Sequence, residues 1–275
     1  MTPFTGSPGA PEAWDHFRFE VADGVATITF DRPEKLNALT FEIYADLRDL
    51  LAWIPTRDDV RVLVITGEGR GFCSGGDVHE IIGELLRSDR DRLLEFTRMT
   101  GAVVQNMRAC SLPVIASVNG IAAGAGSVIA LAADFRVMAR SASFAFLFTK
   151  VGLAGADMGS AYLLPRMIGL SRATELLMLG ETIESGTAEA LGLTYRVVQD
   201  SELPGVTNEL ARSLAEGPAR AYAQTKLLLT RELEMSLGDA LELEAQTQAE
   251  LMTSEDHAEF YRAFNEGRKP NWTGR

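Results

Sequence analysis

The hydrophobic pattern near the start of the chain predicts a β-hairpin. Apolar and polar residues alternate over residues 17–21 and again over 25–30, on either side of Asp23 and Gly24. Alternation with a period of two is typical of a half-buried strand, and Asp-Gly is a favoured two-residue hairpin turn. The sequence therefore predicts that two antiparallel strands open the fold.

The middle of the chain changes repeatedly between helical and buried-strand patterns. Apolar residues recur at helical spacing over residues 41–53, after the potential N-cap Thr40, and the run VRVLVIT at 60–66 indicates a fully buried strand of the parallel kind. The same patterns predict strands at 113–118, 135–139 and 143–146, and helices at 90–108, 160–168 and 172–179. Alternating strands and helices of this kind favour an α/β fold.

From residue 203 onward the pattern predicts only helices, near 206–215, 219–233, 237–253 and 254–267. A chain of 275 residues fits one large domain with an appendage. We therefore expect three regions: a loose Gly- and Pro-containing arm at 1–14, an α/β core at 15–202, and a C-terminal helical oligomerisation region at 203–275.

Composition and charge exclude several classes of protein. Hydrophobic residues make up 46% of the chain and charged residues 23%, which is typical of a globular protein, and the net charge of -12 disfavours nucleic acid as a partner. The N-terminal residues have no signal-peptide pattern, and no apolar run approaches the roughly 20 residues of a membrane span. The two cysteines, Cys73 and Cys110, lack zinc-site spacing and fit a reducing cytoplasm as buried apolar residues. We expect no metal or redox cofactor, and no membrane partner.

Two glycine-rich segments are the first indication of chemistry. NGIAAGAGSV at 119–128 and GEGRGFCSGGDVHEI at 67–81 each follow a predicted buried strand and lead into a helix. Such turns expose unpaired backbone N–H groups at a helix start, where the helix dipole adds partial positive charge. Two amides from two turns could converge on one oxygen as an oxyanion hole. For 119–128 taken alone, close helix-to-sheet packing is an equally good explanation.

Four motifs together resemble the enoyl-CoA hydratase/isomerase family, the crotonases. They are RPEKLNALT at 32–40, GEGRGFCSGGD at 67–77, VNGIAAGAGSVIALAADFRV at 118–137 and the closing RKPNWTGR at 268–275. The resemblance implies a crotonase-like spiral of ββα units with a C-terminal helical trimerisation region, assembled as a homotrimer or homohexamer. It also implies an acyl-CoA thioester substrate, with coenzyme A present only as part of that substrate.

The resemblance also implies which residues form the site. The amides of Gly76 and Ala125 would bind the thioester carbonyl oxygen, and the Ala125 methyl group should be tolerated unless its φ is positive. The residues that the resemblance suggests for substrate binding are Lys35, Ala38, Ser74, Asp77, Val128 and Phe148. Two alternatives remain open, because Lys35 could simply be solvated and Asp77 could order its loop rather than contact substrate.

The acid or base is the main departure from the family's hydratases. They resemble one another in having two glutamates, and the matching positions here are Val128 and Phe148. Asp157, in TKVGLAGADMGSAYLLPR, resembles the catalytic aspartate of dienoyl-CoA isomerases and 4-chlorobenzoyl-CoA dehalogenases. Apolar neighbours should raise its pKa, as a general base or acid requires. The alternative is that Asp157 caps the following helix.

The sequence thus predicts an enoyl-CoA hydratase/isomerase that acts through a thioester enolate held by two amides, with one aspartate as acid and base. One alternative makes Asp157 a nucleophile in a dehalogenase- or hydrolase-like acyl-CoA enzyme. Another is a catalytically silent protein that binds CoA thioesters. Of the other polar residues, His79 is expected to face solvent, and the direction of the Tyr162 side chain is left open.

Overall fold

A six-stranded sheet forms the centre of the molecule. The computed structural model describes residues 4–7 and 13–274. The strands lie in the order β1-β2-β3-β5-β7-β10. Their bounds are β1 Arg18–Ala22, β2 Val25–Phe30, β3 Val62–Gly67, β5 Val114–Val118, β7 Phe135–Ala139 and β10 Arg196–Val198. The predicted β1–β2 hairpin is confirmed, and every other pairing in this sheet is parallel.

The fold also contains a second, smaller sheet. Its strands are β4 Gly71–Cys73, β6 Ile121–Ala123, β8 Ser143–Ala145 and β9 Thr182–Glu184, in that order. Strands β4 and β6 lie inside the two glycine-rich segments, where the sequence predicted only turns leading into helices. Three-residue strands are too short to show a period, and they form because they pair in parallel with each other across a long stretch of chain.

The helices cover the sheets and confirm the α/β prediction. The first is α1 Phe41–Trp53, whose predicted cap is confirmed because Thr40 Oγ1 accepts a hydrogen bond from Ile43 N at 3.3 Å. The others are α2 Gly83–Leu85, α3 Arg90–Ala109, α4 Ala125–Ala132, α5 Ser160–Ile168, α6 Leu170–Leu179, α7 Ser185–Ala190, α8 Leu203–Ala215, α9 Ala219–Arg231, α10 Leu237–Met252 and α11 Glu255–Glu266.

Helix α8 belongs to the layer that covers the large sheet. Its inward residues Leu203 and Ala211 are part of the hydrophobic core, and the hydroxyls of Thr207 and Ser117 of β5 lie 2.9 Å apart in a hydrogen bond. The predicted all-helical C-terminal region therefore begins at 203, and its first helix belongs to the core layer. Helix α9 is also tied to that layer, because the buried Lys226 Nζ donates to Leu112 O at 3.0 Å. As predicted, the described part of this region contains no strand.

Part of the N-terminal arm packs firmly, which corrects the prediction of a loose segment. The Phe4 ring lies 5.4 Å from the Phe41 ring, and the Ser7 hydroxyl donates to the buried carboxylate of Asp46 at 2.6 Å. His16 Nδ1 lies 2.7 Å from the same carboxylate. The Phe4 ring and the hydrogen bond to Asp46 hold residues 4–7 against the core. The Gly and Pro content of the segment does not reveal these contacts. The rest of the predicted arm at 1–3 and 8–12 lies outside the described residues.

Both cysteines are buried free thiols, as predicted. Burial raises the pKa of the Cys73 thiol to about 12, so it stays protonated near neutral pH and is a poor nucleophile. Across residues 4–7 and 13–274, no helix has the length and apolar character needed to cross a bilayer.

Candidate active site

The two glycine-rich turns lie backbone against backbone. Gly75 adopts φ +96° and Gly124 adopts φ +52°, values that side-chain-bearing residues rarely reach. A Cβ built on Gly126 would lie 2.1 Å from the Cys73 carbonyl oxygen, and one built on Gly75 would lie 3.5 Å from Ala125 N. The absence of side chains is therefore what allows the two turns to meet. Close packing, the alternative explanation for the glycine-rich segment at 119–128, is thus confirmed, and it leaves room for a chemical role as well.

The Gly76 amide is exposed and unpaired. Leu39 N donates to Gly75 O and Asp77 N donates to Leu39 O, both at 2.8 Å, in a parallel bridge that leaves the Gly76 N–H directed away from this strand. No acceptor for this N–H exists among the described residues. Gly76 is exposed although Gly75 and Asp77 on either side are buried.

The Ala125 amide stands at the start of α4. It is the first residue of the helix, so its N–H has no partner within the helix, and no side chain caps it. Gly124 N donates to Ala145 O at 2.8 Å, and Ser127 Oγ donates to the same oxygen at 2.8 Å, which fixes the turn against β8. Ala125 is not among the residues with positive φ, so its methyl group causes no backbone strain.

Arg136, which the sequence analysis missed, holds the other end of α4. Its guanidinium is buried and donates to the carbonyls of Ala133, at 2.6 Å, and of Leu131, at 3.3 Å, which terminate the helix. It also donates to Leu193 O. Burial lowers the pKa of Arg136 to about 10. An arginine inside the predicted strand FRVMA was the available signal, because a charge in a buried strand requires partners.

Asp157 lies between Leu147–Val151, a short helical turn, and α5. Its Oδ1 accepts a hydrogen bond from Met158 N at 2.8 Å, and no described residue donates to Oδ2. Burial raises the pKa of Asp157, and the Met158 hydrogen bond opposes the shift. Gly159 occupies the N-cap of α5 without side-chain help, so the capping alternative for Asp157 is wrong. Met158 adopts φ +50°, which stores backbone strain beside the carboxylate.

The two positions that match the hydratase glutamates are apolar and buried. Val128 lies one turn into α4 and is fully buried, and Phe148, on the turn before Asp157, is 8% exposed. Neither side chain can transfer a proton, so Asp157 is the predicted catalytic residue that carries a carboxyl group.

Tyr44 of α1 is a second residue that the sequence analysis missed. A Cβ built on Gly76 would lie 3.7 Å from its hydroxyl oxygen. Its ring packs edge-on against Phe96 at 5.8 Å between centroids. Burial raises the pKa of Tyr44 well above its usual value, and the nearby Cys73 and Asp157 groups add to the effect. Its position on the helical pattern of α1 indicated only a core residue.

The loop that carries the predicted substrate-binding residues Lys35 and Ala38 is fixed by hydrogen bonds. Leu36 and Asn37 adopt φ of +50° and +58°, and Asn37 Nδ2 donates to Gly71 O at 2.7 Å. Ala38 N donates to Lys35 O at 3.1 Å, and Ala38 O accepts from Arg32 at 2.8 Å, so both backbone groups of Ala38 already have partners. Lys35 is exposed.

Ser74 and Asp77 connect this loop to the Gly76 turn. Ser74 Oγ donates to Lys35 O at 3.2 Å. Asp77 Oδ1 accepts from the backbone N–H groups of His79 and Glu80 at 3.0 and 3.2 Å, and Oδ2 pairs with Arg32 at 3.3 Å. Asp77 thus orders the loop, the alternative that the sequence analysis kept, and its contact with substrate stays a prediction. His79 is exposed, as predicted.

Comparison with known proteins gives the family. A family model described as enoyl-CoA hydratase/isomerase matches residues 20–275. The chain belongs to this family. A Rhodobacter capsulatus protein named "Probable enoyl-CoA hydratase" is 39% identical over 94% of this chain and 98% of its own. The 1,2-epoxyphenylacetyl-CoA isomerase of Escherichia coli K12 is 36% identical over 93% and 97%.

A crystal structure from Streptomyces coelicolor A3(2), provisionally assigned as an enoyl-CoA hydratase, superposes with a TM-score of 0.95 at 60% identity and covers 100% of both chains. The crotonase fold that the motifs implied is therefore confirmed, and the protein is an enzyme of the hydratase/isomerase type.

Tyr162 is the residue whose side-chain direction the sequence left open. Its ring stacks with the Arg166 guanidinium at 3.6 Å, and burial, with Glu234 nearby, raises the pKa of its hydroxyl, which places the side chain toward the C-terminal helices.

Proposed function

We propose that this enzyme moves a double bond within an acyl-CoA thioester through an enolate, with Asp157 as the single acid and base. The Gly76 and Ala125 amides, two unpaired donors on touching turns, would hold the thioester oxygen as it becomes negative. Removing one donor of an oxyanion hole typically costs about 3 kcal/mol of transition-state stabilisation. Phe148 and Val128 would line the acyl pocket, and Lys35 would contact the CoA phosphates.

The chemistry balances with one proton. In a 3-enoyl thioester, the Asp157 carboxylate removes a proton from the α-carbon, between the carbonyl and the double bond, and the electron pair of the broken C–H bond moves onto the thioester oxygen to give a dienolate. The same proton then returns from the Asp157 carboxyl group to the γ-carbon, at the far end of the dienolate. The enolate collapses to the displaced double bond, and Asp157 is again ionised. No water, metal or redox cofactor enters the proposal.

The absence of a second carboxylate favours isomerisation over hydration. Hydration normally uses one group to remove a proton from water and another to protonate the acyl carbon, whereas isomerisation needs one shuttle. Val128 and Phe148 cannot supply that second group, and this is the observation that carries the proposal. The similarity to the E. coli 1,2-epoxyphenylacetyl-CoA isomerase supports the same choice.

The test is ultraviolet absorbance with 3-butenoyl-CoA, crotonyl-CoA and a conjugated dienoyl-CoA. The wild type is expected to convert 3-butenoyl-CoA into the conjugated ester, and Asp157→Asn should lose at least 1,000-fold in rate, in line with the loss of a proton-transfer group and its charge. The exposed Asp58→Asn is the matched control. Rapid hydration of crotonyl-CoA with no isomerisation would reverse our assignment in favour of a hydratase.

Two alternatives have distinct outcomes in the same experiment. A catalytically silent binder would hold the CoA ester in both proteins and convert none of the three. A nucleophilic Asp157 would attack the thioester carbonyl, expel CoA as the thiolate and hold the acyl group as a mixed anhydride, which intact-protein mass spectrometry detects as added mass. Ser160 Oγ, beside Asp157, donates to Gly155 O and so is not free to activate a displacing water.

We also propose that the enzyme assembles as a homotrimer or homohexamer in the cytoplasm. Large apolar side chains on and around α9, α10 and α11 are exposed, and exposed apolar residues concentrated in one region of a chain favour an interaction site. They are Leu229, Leu233, Leu237, Leu241, Phe260 and Phe264. Light scattering should give three or six times 29.9 kDa, and Leu229→Asp should lower that mass. The free thiols of Cys73 and Cys110 are consistent with a reducing compartment.

A further inference from the structure

The Tyr44 hydroxyl is an accessible donor, without a protein partner, on a side chain that is otherwise buried. The residue is 3% exposed, yet no described residue forms a hydrogen bond with its hydroxyl, which is not among the sealed, unpartnered polar atoms. An accessible hydroxyl can pair with water, but a ligand that displaces the water without offering an acceptor leaves the donor unpaired, which is costly. The hydroxyl is therefore placed to meet a ligand.

Three elements place that hydroxyl inside the site. It lies 3.7 Å from the Cβ position of Gly76, beside Ile81, whose Cδ1 lies 3.4 Å from the same position. Burial is the main cause of the raised Tyr44 pKa, and Cys73, on the strand that leads into this turn, and the Asp157 carboxylate are close enough to add to it. Edge-on packing against Phe96 fixes the ring. The hydroxyl thus lies beside the Gly76 turn with the Asp157 carboxylate nearby, and in the proposed function the reacting acyl carbons would lie close to both groups.

Two possible acceptors are already accounted for. In the proposed function the thioester oxygen has two lone pairs and two amide donors, Gly76 and Ala125, so a third donor there would be redundant. The Asp157 carboxylate accepts from Met158 and forms no hydrogen bond with Tyr44. The remaining acceptor is an oxygen on the acyl group itself.

We propose that Tyr44 determines specificity for acyl groups that carry an oxygen, as a hydroxyl, epoxide or oxo group, on or next to the carbons that exchange the proton. This inference rests on the proposed function, because it takes the CoA thioester to be bound through the Gly76 and Ala125 amides. A site with such a donor discriminates against ligands that leave the donor unpaired. A plain hydrocarbon acyl chain is such a ligand.

The test compares butyryl-CoA, 2-hydroxybutyryl-CoA and 3-hydroxybutyryl-CoA by calorimetry in an Asp157→Asn background, where proposed turnover is blocked. One hydroxy ester should bind about tenfold more tightly than butyryl-CoA, the effect of one hydrogen bond to this donor. Tyr44→Phe, which keeps the ring and removes only the hydroxyl, should abolish that preference and leave the butyryl-CoA affinity within about twofold. Tyr195→Phe, at a half-exposed site, is the matched control.

The outcomes separate this inference from the proposed function. Butyryl-CoA binding with no preference for either hydroxy ester, or a preference that survives Tyr44→Phe, overturns the role of Tyr44 and leaves the proposed function standing. Failure of all three esters to bind overturns both. Equal weakening of all three by Tyr44→Phe also overturns the specificity role, since it would mean that Tyr44 shapes the pocket or assists the thioester oxygen.

Discussion

Gly126 of α4 rests directly on the carbonyl group of Cys73 in β4. A Cβ built on Gly126 would lie 2.1 Å from Cys73 O and 2.8 Å from Cys73 Cβ. The contact joins the two turns that carry the proposed oxyanion donors, so the distance between the Gly76 and Ala125 amides depends on it.

Gly126→Ala should therefore separate the two turns. The methyl group cannot fit, and backbone must move, so we expect a loss of at least tenfold in activity and about 1–3 kcal/mol in the free energy of unfolding. Enzyme assays and urea unfolding measure the two effects. Gly186→Ala is the control, because a Cβ there meets nothing within 4 Å. An unaffected Gly126→Ala enzyme would show that this contact does not set the amide geometry.

Ala125→Pro should remove one oxyanion donor with little other change. Proline lacks the N–H but is tolerated in the first turn of a helix, where no intrahelical bond is lost. We expect a 100- to 1,000-fold lower kcat. Ala125→Gly keeps the N–H and should stay within about tenfold of wild type. Comparable thermal unfolding of the two variants serves as the check on folding, and similar kcat values for both would remove Ala125 from the mechanism.

Asp157→Asn should stabilise the folded protein at neutral pH. Because burial raises the pKa of this carboxyl group, the folded state binds its proton more tightly than the unfolded state does. The protonated carboxyl group favours the folded state at a pH below the usual aspartate pKa. This stability is lost as the pH rises through the raised pKa of Asp157, and at higher pH the folded protein remains less stable. Asparagine carries no charge, so it should raise the Tm by about 2–4 °C at pH 7 and have little effect near pH 3.5. Thermal melts across this range provide the measurement.

Arg136→Leu should destabilise the protein strongly. The guanidinium satisfies buried carbonyl groups at the end of α4 and the Leu193 carbonyl, and leucine would leave them unpaired. Each unsatisfied buried group costs about 1–3 kcal/mol, so we expect a loss of about 3 kcal/mol or more. Urea unfolding gives the value. Arg196→Leu, an exposed position on β10, is the control and should lose less than about 1 kcal/mol.

The amino-acid sequence by itself determined the fold class, the limits of the long elements and the family. The helix Phe41–Trp53 and the strand Phe135–Ala139 lie where the hydrophobic period predicted them, because long elements bury a regular face. The unpaired Gly76 and Ala125 amides, too, follow from local rules for turns and helix starts.

Only the tertiary structure decided what shares the space with those amides. Strands β4 and β6 are too short to show a period and form through pairing between distant segments. Phe4 and Arg136 gain their roles from contacts with residues far along the chain, and Tyr44 looks in the sequence like any inward residue of α1. A helical pattern records which face is buried, but which groups meet there depends on where the chain folds back.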